Sequence, residues 1–241
     1  VEEPISDYTF IASEKLCKEA RKHGYKVVIS GMGGDEAFGG YPRYILAKNY
    51  KFFKNIRLLL QLSAPLLSRG AFFAKKVQRL LSFLQEKSFA MGYVRLIGYL
   101  SSKEINALLK EPRLQQQFEV SLNDAIKKHE DLPHLKQAMM LDYSGFLSHN
   151  LMVADKSSML ASVEMRVPLL DVDVYQAGIE QASEDLISGK QQKLILQKIL
   201  KRLLPTKLVS RQKAGFNPPL DNKINQLGEK TINEILSSGP I

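Results

Sequence analysis

The sequence predicts an α/β fold class: a predominantly α-helical chain carrying one clear strand of a parallel sheet. Three observations lead there. A β-branched run, "YKVVIS", follows a helical pattern; a glycine-rich turn, "GMGGDEAFGGY", follows the run; and the periodic segments after Tyr50 repeat at helical spacing. Open α/β sheets hold several parallel strands, so a single strand with its helices implies that the rest of the sheet lies outside these 241 residues.

Taken in order, "DYTFIASEKLCKEARKHG" has apolar residues at Ile11, Leu16 and Ala20 and ends on Gly24, which predicts a helix with a glycine stop. "YKVVIS" is apolar on both faces and reads as a central strand. Asp35 and Glu36 sit where the next helix begins, with its body running toward Tyr50. "FFKNIRLLLQLSAPLLSRG" and "AFFAKKVQRLLSFLQ" predict basic amphipathic helices broken near Pro65 and Gly70. "SKEINALLK", "HLKQAMMLDYSGFLSHNLM", "DVYQAGIEQA" and "QKLILQKILKRLL" predict further helices, and no second convincing strand or internal repeat is visible.

Composition narrows the function classes. Apolar content of 44% and charged content of 24% are those of a globular protein. The one cysteine, Cys17, excludes an intramolecular disulfide and fits a reducing, cytoplasmic setting; on its helix it reads as a small core residue. No apolar run approaches the roughly 18 residues of a spanning helix. The chain opens on Val1, not methionine, which reads as part of a longer protein. Between Lys48 and Lys87 nine basic residues face one acid, Glu86, so most of the net +9 sits in one stretch and a chain-wide nucleic-acid partner is not expected. That segment, 48–87, reads as a solvated face or a docking surface for other parts of the protein, and a membrane partner is not expected. His129 and His134 lack the further ligands a metal site requires.

The glycine turn fails as a dinucleotide fingerprint, because Glu36 stands where the third glycine belongs. It fails as a phosphate loop of the G-x-x-x-x-G-K type, because Gly40 stands where lysine belongs. Packing alone would explain a tight strand-to-helix turn with acids at the helix start. It explains Gly39 and Gly40 less well, since glycine inside a helix costs about 1 kcal/mol against alanine; close approach of a ligand or another backbone explains them better. Ser30 and Gly31 fall at the carboxyl end of the strand, where open α/β sheets bind ligands. Backbone N–H groups at a helix start suit phosphate, and a carboxylate beside phosphate calls for a bridging cation, so Asp35 suggests Mg²⁺.

Two further stretches share this chemistry: "ADKSSMLASVEMRVPLLD" (Ala154 to Asp171) and "LLPTKLVSRQKAGFNPPL" (Leu203 to Leu220). Together with Ser30 to Tyr41, the segments Asp155 to Asp171 and Arg211 to Phe216 resemble the ATP-using synthetase domain of the asparagine synthetase family, in order and spacing, over essentially the whole chain. The resemblance implies an α/β fold of the PP-loop ATP pyrophosphatase type (adenine nucleotide alpha hydrolase-like), with residues 1–241 as the C-terminal portion of that domain. It implies a ligase that activates a carboxylic acid such as aspartate with ATP as an acyl-adenylate, then forms an amide with ammonia from glutamine. Ser30, Gly31 and Gly33 match nucleotide- and adenylate-facing positions, Asp35 and Glu36 match the Mg²⁺ site, and Lys213 matches a catalytic lysine that offsets developing charge. Glu164 and Arg166 also match the pattern but read as a structural ion pair.

The chain departs from the family in three ways. The family's first ATP loop, S-G-G-x-D-S, is absent, as is the N-terminal glutaminase with its cysteine, so the missing N-terminal part is an implied partner. Met32 stands where asparagine-forming members usually carry glutamate, which leaves the acceptor open. A homodimer also stays open. The alternative reading is a degenerate, non-catalytic interaction module of the same fold that uses the basic helices of 48–87.

Overall fold

The computed structural model describes residues 5, 7–67, 71–98, 104, 107–108 and 111–205, with single positions between 226 and 237. In chain order the first elements are α1 (Thr9–Lys22), β1 (Val27–Ile29), α2 (Gly34–Phe38), α3 (Pro42–Lys48), α4 (Tyr50–Asn55) and α5 (Arg57–Leu67). Then come α6 (Ala71–Gln85), α7 (Phe89–Ile97), α8 (Pro112–Lys127), α9 (His134–Leu141), a π-helical segment (Asp142–Leu147) and α10 (Ser148–Leu160). The described order closes with β2 (Glu164–Arg166), a 3₁₀ turn (Pro168–Leu170), α11 (Val172–Ile179), α12 (Ser183–Leu186) and α13 (Leu194–Leu203). Two compact units result: Val1–Ser30, His149–Arg166 and Ser210–Ile241 make the first, Gly31–Ser148 and Val167–Val209 the second.

In the first unit, the Asp7 carboxylate accepts from the Thr9 amide at 2.8 Å at the entry to α1, and Arg21 and Lys22 lie in its last turn, where the helix dipole favours cations. β1 and β2 pair in parallel, Val27 opposite Glu164 and Ile29 opposite Arg166. The mostly helical architecture matches the sequence expectation, but the single strand becomes two. "EMR" holds one apolar residue between two charges and is too short to show a period. Val28 and Met165 pack against Cys17, Ala161 and Val163, which is the core position expected for the cysteine. The expectation that β1 is covered on both faces needs correction for the described residues: Val28 turns inward, while Val27 is exposed and Ile29 is 79% exposed.

The second unit is helical. Its core holds Tyr44, Tyr50, Phe83, Phe89, Tyr93, Leu135 and Met139. The Tyr50 ring meets Phe83, Phe89 and His134 at centroid distances of 5.3, 5.0 and 4.7 Å, so the half-buried His134 packs on the aromatic core from its edge. The helix expected to run from Asp35 toward Tyr50 is broken: α2 ends at Phe38, Gly39 caps it with φ +71°, and α3 restarts with Pro42 in its first turn.

Candidate functional site

One predicted site glycine, Gly33, and its neighbour Gly34 are fixed by packing. Gly33, with φ +84°, caps the start of α2, and a Cβ there would lie 2.1 Å from Leu170 Cδ2. A Cβ on Gly34 would lie 2.7 Å from Leu169 Cδ1. The leucines of "VPLLD" therefore press on the glycine turn, which brings two separate sequence motifs together. Gly31 differs: it is exposed, with nothing within 4 Å of a built Cβ. It is the open backbone position of the turn. In the first unit, the Ser30 amide donates to the Arg166 carbonyl at 2.8 Å, so the sheet ladder uses this donor. Glu164 and Arg166 pair in the open at 2.8 Å (Oε1–Nε), which lowers the carboxylate pKa and raises the guanidinium pKa, as expected for a structural ion pair.

Asp35 and Glu36 are neighbours on α2 but enter different surroundings. Asp35 Oδ1 lies 3.0 Å from Lys193 Nζ, a partly exposed pair. Lys193 stands immediately before α13 in the left-handed region, φ 53°, uncommon for a side-chain-bearing residue. A Cβ on Gly40 would fall 1.9 Å from Asp35 Oδ1 and 2.2 Å from Lys193 Cε, so close approach within the fold accounts for this glycine. Glu36 is 2% exposed and accepts from the Tyr41 hydroxyl at 2.7 Å. Burial is the main cause that raises its pKa, with Asp35 and Asp142 adding to it, and Tyr41 opposes the rise.

Behind these carboxylates lies a buried polar network. Arg43 donates to Asp142 Oδ2 from Nε at 3.0 Å and from Nη2 at 2.8 Å, and Tyr93 donates to the same oxygen at 2.7 Å. The guanidinium carbon sits 3.7 Å above the Tyr41 ring centroid and 4.8 Å from that of Phe146. The Glu36–Tyr41 hydrogen bond and the Arg43–Tyr41 stack thus join α2 to the π segment that carries Asp142. A π-bulge of this kind widens the helix and is frequent at functional sites. The Tyr143 ring meets that of Tyr175 at 4.5 Å between centroids, tilted by 40°; the Tyr175 hydroxyl is buried without a hydrogen-bond partner among the described residues.

A divalent cation fits these donors only in part. Asp35 is a partly open carboxylate, which suits a hydrated Mg²⁺ held chiefly by substrate phosphates. Glu36 does not fit: its carboxylate is sealed from solvent and bonded to Tyr41, so its geometry argues against the expected role as a metal ligand. Among the described residues no group of three or more His, Cys, Asp or Glu side chains gathers as a metal site.

Of the predicted site residues, Gly31, Gly33, Asp35 and Glu36 lie together on the turn of the second unit. Ser30 follows β1 in the first, and Lys213 lies outside the described residues, as do Arg211 and Phe216. Sequence reading missed Lys193, Arg43 and Asp142. Lys193 sits among other lysines without a local signal. Asp142 did leave one: an acid closing the apolar run "AMMLD".

The asparagine synthase family profile matches residues 1–241. A Bacillus subtilis (strain 168) protein named "Asparagine synthetase (glutamine-hydrolyzing) 1" is 26% identical over 97% of this chain. Proteins of Mycobacterium bovis and Mycobacterium tuberculosis, whose asparagine synthetase names are provisional, are 26% identical over 91% of it. The chain spans only 37% of the length of the first relative and 34% of the others. No solved structure matches.

Proposed function

This chain belongs to the asparagine synthase family, and from that premise we propose that it is the C-terminal part of an ATP-dependent, amide-forming synthetase domain. In this reading a substrate carboxylate oxygen attacks the α-phosphorus of ATP. Pyrophosphate leaves and an acyl-adenylate forms. Ammonia derived from glutamine then attacks the acyl carbon and gives up a proton, and the bond to the bridging oxygen breaks, so AMP departs with that former carboxylate oxygen.

The observation that carries the reading is the turn itself. An exposed Gly31 backbone comes two residues after the last residue of β1, and four residues on Asp35 is a partly open carboxylate held by Lys193. Gly31 would admit a nucleotide or adenylate close to the backbone, with Ser30 beside it through its side chain. Gly33 would set the turn's shape through Leu170. Asp35 would hold Mg²⁺, which when bound neutralises phosphate charge. Glu36, sealed against Tyr41, would hold α2 in register. Lys213 would offset charge during adenylation and its breakdown. Met32 has no atom that accepts a proton, so the amine step or the acceptor should differ from the asparagine-forming reaction.

The test uses the full-length protein that carries this chain. It is incubated with ATP, Mg²⁺, aspartate and ammonia, with pyrophosphate and asparagine measured separately. Pyrophosphate release that falls sharply in Asp35→Asn, with little asparagine formed, is expected. Efficient asparagine production would refute the significance given to Met32. Pyrophosphate release untouched by Asp35→Asn would remove the metal role. No pyrophosphate with any carboxylate tried would favour the non-catalytic module.

A further inference from the structure

The second unit carries an apolar face that none of its own described residues covers. On α5, Leu58, Leu59 and Leu62 are exposed by 65, 67 and 79%, and Leu62 neighbours the other two on the helix surface at spacings of four and three residues. Phe52 on α4 is exposed as well, seven residues before Leu59. The opposite side of α5 is engaged: Leu60 packs on the core.

The charge around this face has one sign. From Ala37 to Gln85 the sequence contains no Asp or Glu. Lys51 is exposed and Arg57 half-exposed, and neither meets a carboxylate among the described residues. Lys54 and Arg79, by contrast, are tied to backbone carbonyls of Leu84, Glu86 and Leu96. Phe52 and Lys51 also line an open cavity of about 380 Å³ together with Asn49 and His134; its acid, Glu184, lies 3.5 Å from Lys48. Lys51 helps burial to lower the His134 pKa, a sign of positive potential at that wall.

Exposed large apolar side chains on a helix rimmed by cations suit an interfacial helix lying on an anionic bilayer. The rim cations, with no acid among them, complement an anionic surface. We propose that the α4–α5 face, through Phe52, Leu58, Leu59 and Leu62 with Lys51 and Arg57 at its rim, docks this chain on an anionic phospholipid surface. This departs from the sequence expectation for segment 48–87, which saw the basic charge but not which leucines stay outside. No described helix is long and apolar enough to cross a membrane, so the docking is peripheral. The proposal uses no residue of the ligase reading and stands or falls apart from it.

The experiment is vesicle flotation of the full chain, with phosphatidylcholine alone or mixed with phosphatidylglycerol. Each surface cation adds roughly fivefold to partitioning on an anionic bilayer, so two should give on the order of tenfold or more over the neutral vesicle. The double variant Leu59→Ser/Leu62→Ser should lose flotation while its circular-dichroism melt stays unchanged, and Lys51→Gln should weaken flotation and its salt dependence. Equal flotation of the leucine variant, or no flotation with anionic vesicles at low salt, would overturn the proposal. So would a leucine-dependent dimer without lipid binding, seen by sedimentation, which would assign the face to a second copy. Binding to nucleic acid indifferent to the leucine changes would do the same.

Discussion

Lys193 Nζ meets Asp35 Oδ1 at 3.0 Å across the position where any side chain on Gly40 would stand. The pair and the glycine form one arrangement, although 153 residues separate Gly40 from Lys193 in the chain.

Because the pair is partly exposed, Lys193→Met should cost only about 1 kcal/mol of stability, read from the urea midpoint. Gly40→Ala should displace both side chains instead of unfolding the unit, since the atoms it meets belong to the Asp35 and Lys193 side chains and none to the backbone. The two changes should be non-additive by about 0.5 kcal/mol or more. Strict additivity would show that Gly40 serves something other than the pair.

Arg43 and Asp142 behave differently, because Asp142 is fully buried. Removing the guanidinium leaves a buried carboxylate without its counter-charge, so Arg43→Met should cost about 3–5 kcal/mol. Arg43→Met with Asp142→Leu should recover most of that loss. A single variant as stable as the wild type would contradict the anchoring role given to this pair.

Lys136 supplies a pH signature. Its ammonium donates to the Ile179 carbonyl, and burial pulls its pKa from an ordinary 10.5 down to about 8. Between those values the unfolded chain binds more protons than the folded one, so stability from this group rises with pH across the window and its charging cost is fully present below it. Lys136→Met has no such titration. The wild type should therefore gain on the variant in melting temperature from about pH 8 toward 10.5. A gap independent of pH would refute the assignment.

Lys213 makes a kinetic prediction in the full-length protein. If its charge is needed mainly in the transition state, Lys213→Ala should slow pyrophosphate formation by on the order of 10²–10³. The Michaelis constant for ATP should change little. An unchanged turnover number with a raised constant would instead indicate ground-state binding.

Much of the architecture was legible in the sequence because it is local. α1 follows from its apolar spacing and glycine stop, and α6 and α13 follow from their periodicity. Cys17 in the core and the Glu164–Arg166 pair were also readable. β2 was hidden because a three-residue strand has no measurable period. The end of α2 was misread because "DEAFGGY" shows two glycines and no indication that the first caps a five-residue helix. The partners of the two acids were beyond reach for a different reason. Tyr41 is near in sequence, but only the fold sends Glu36 inward to it while Asp35 turns toward Lys193.

Cys17 gives the first unit a built-in reporter. It is the only thiol in the sequence, 2% exposed, and burial raises its pKa, which keeps it unreactive while the unit is closed. A thiol-specific reagent would reach it only in molecules that have opened. The modification rate of the unaltered chain, without any introduced label, would therefore count opening events in the unit that contains β1 and β2.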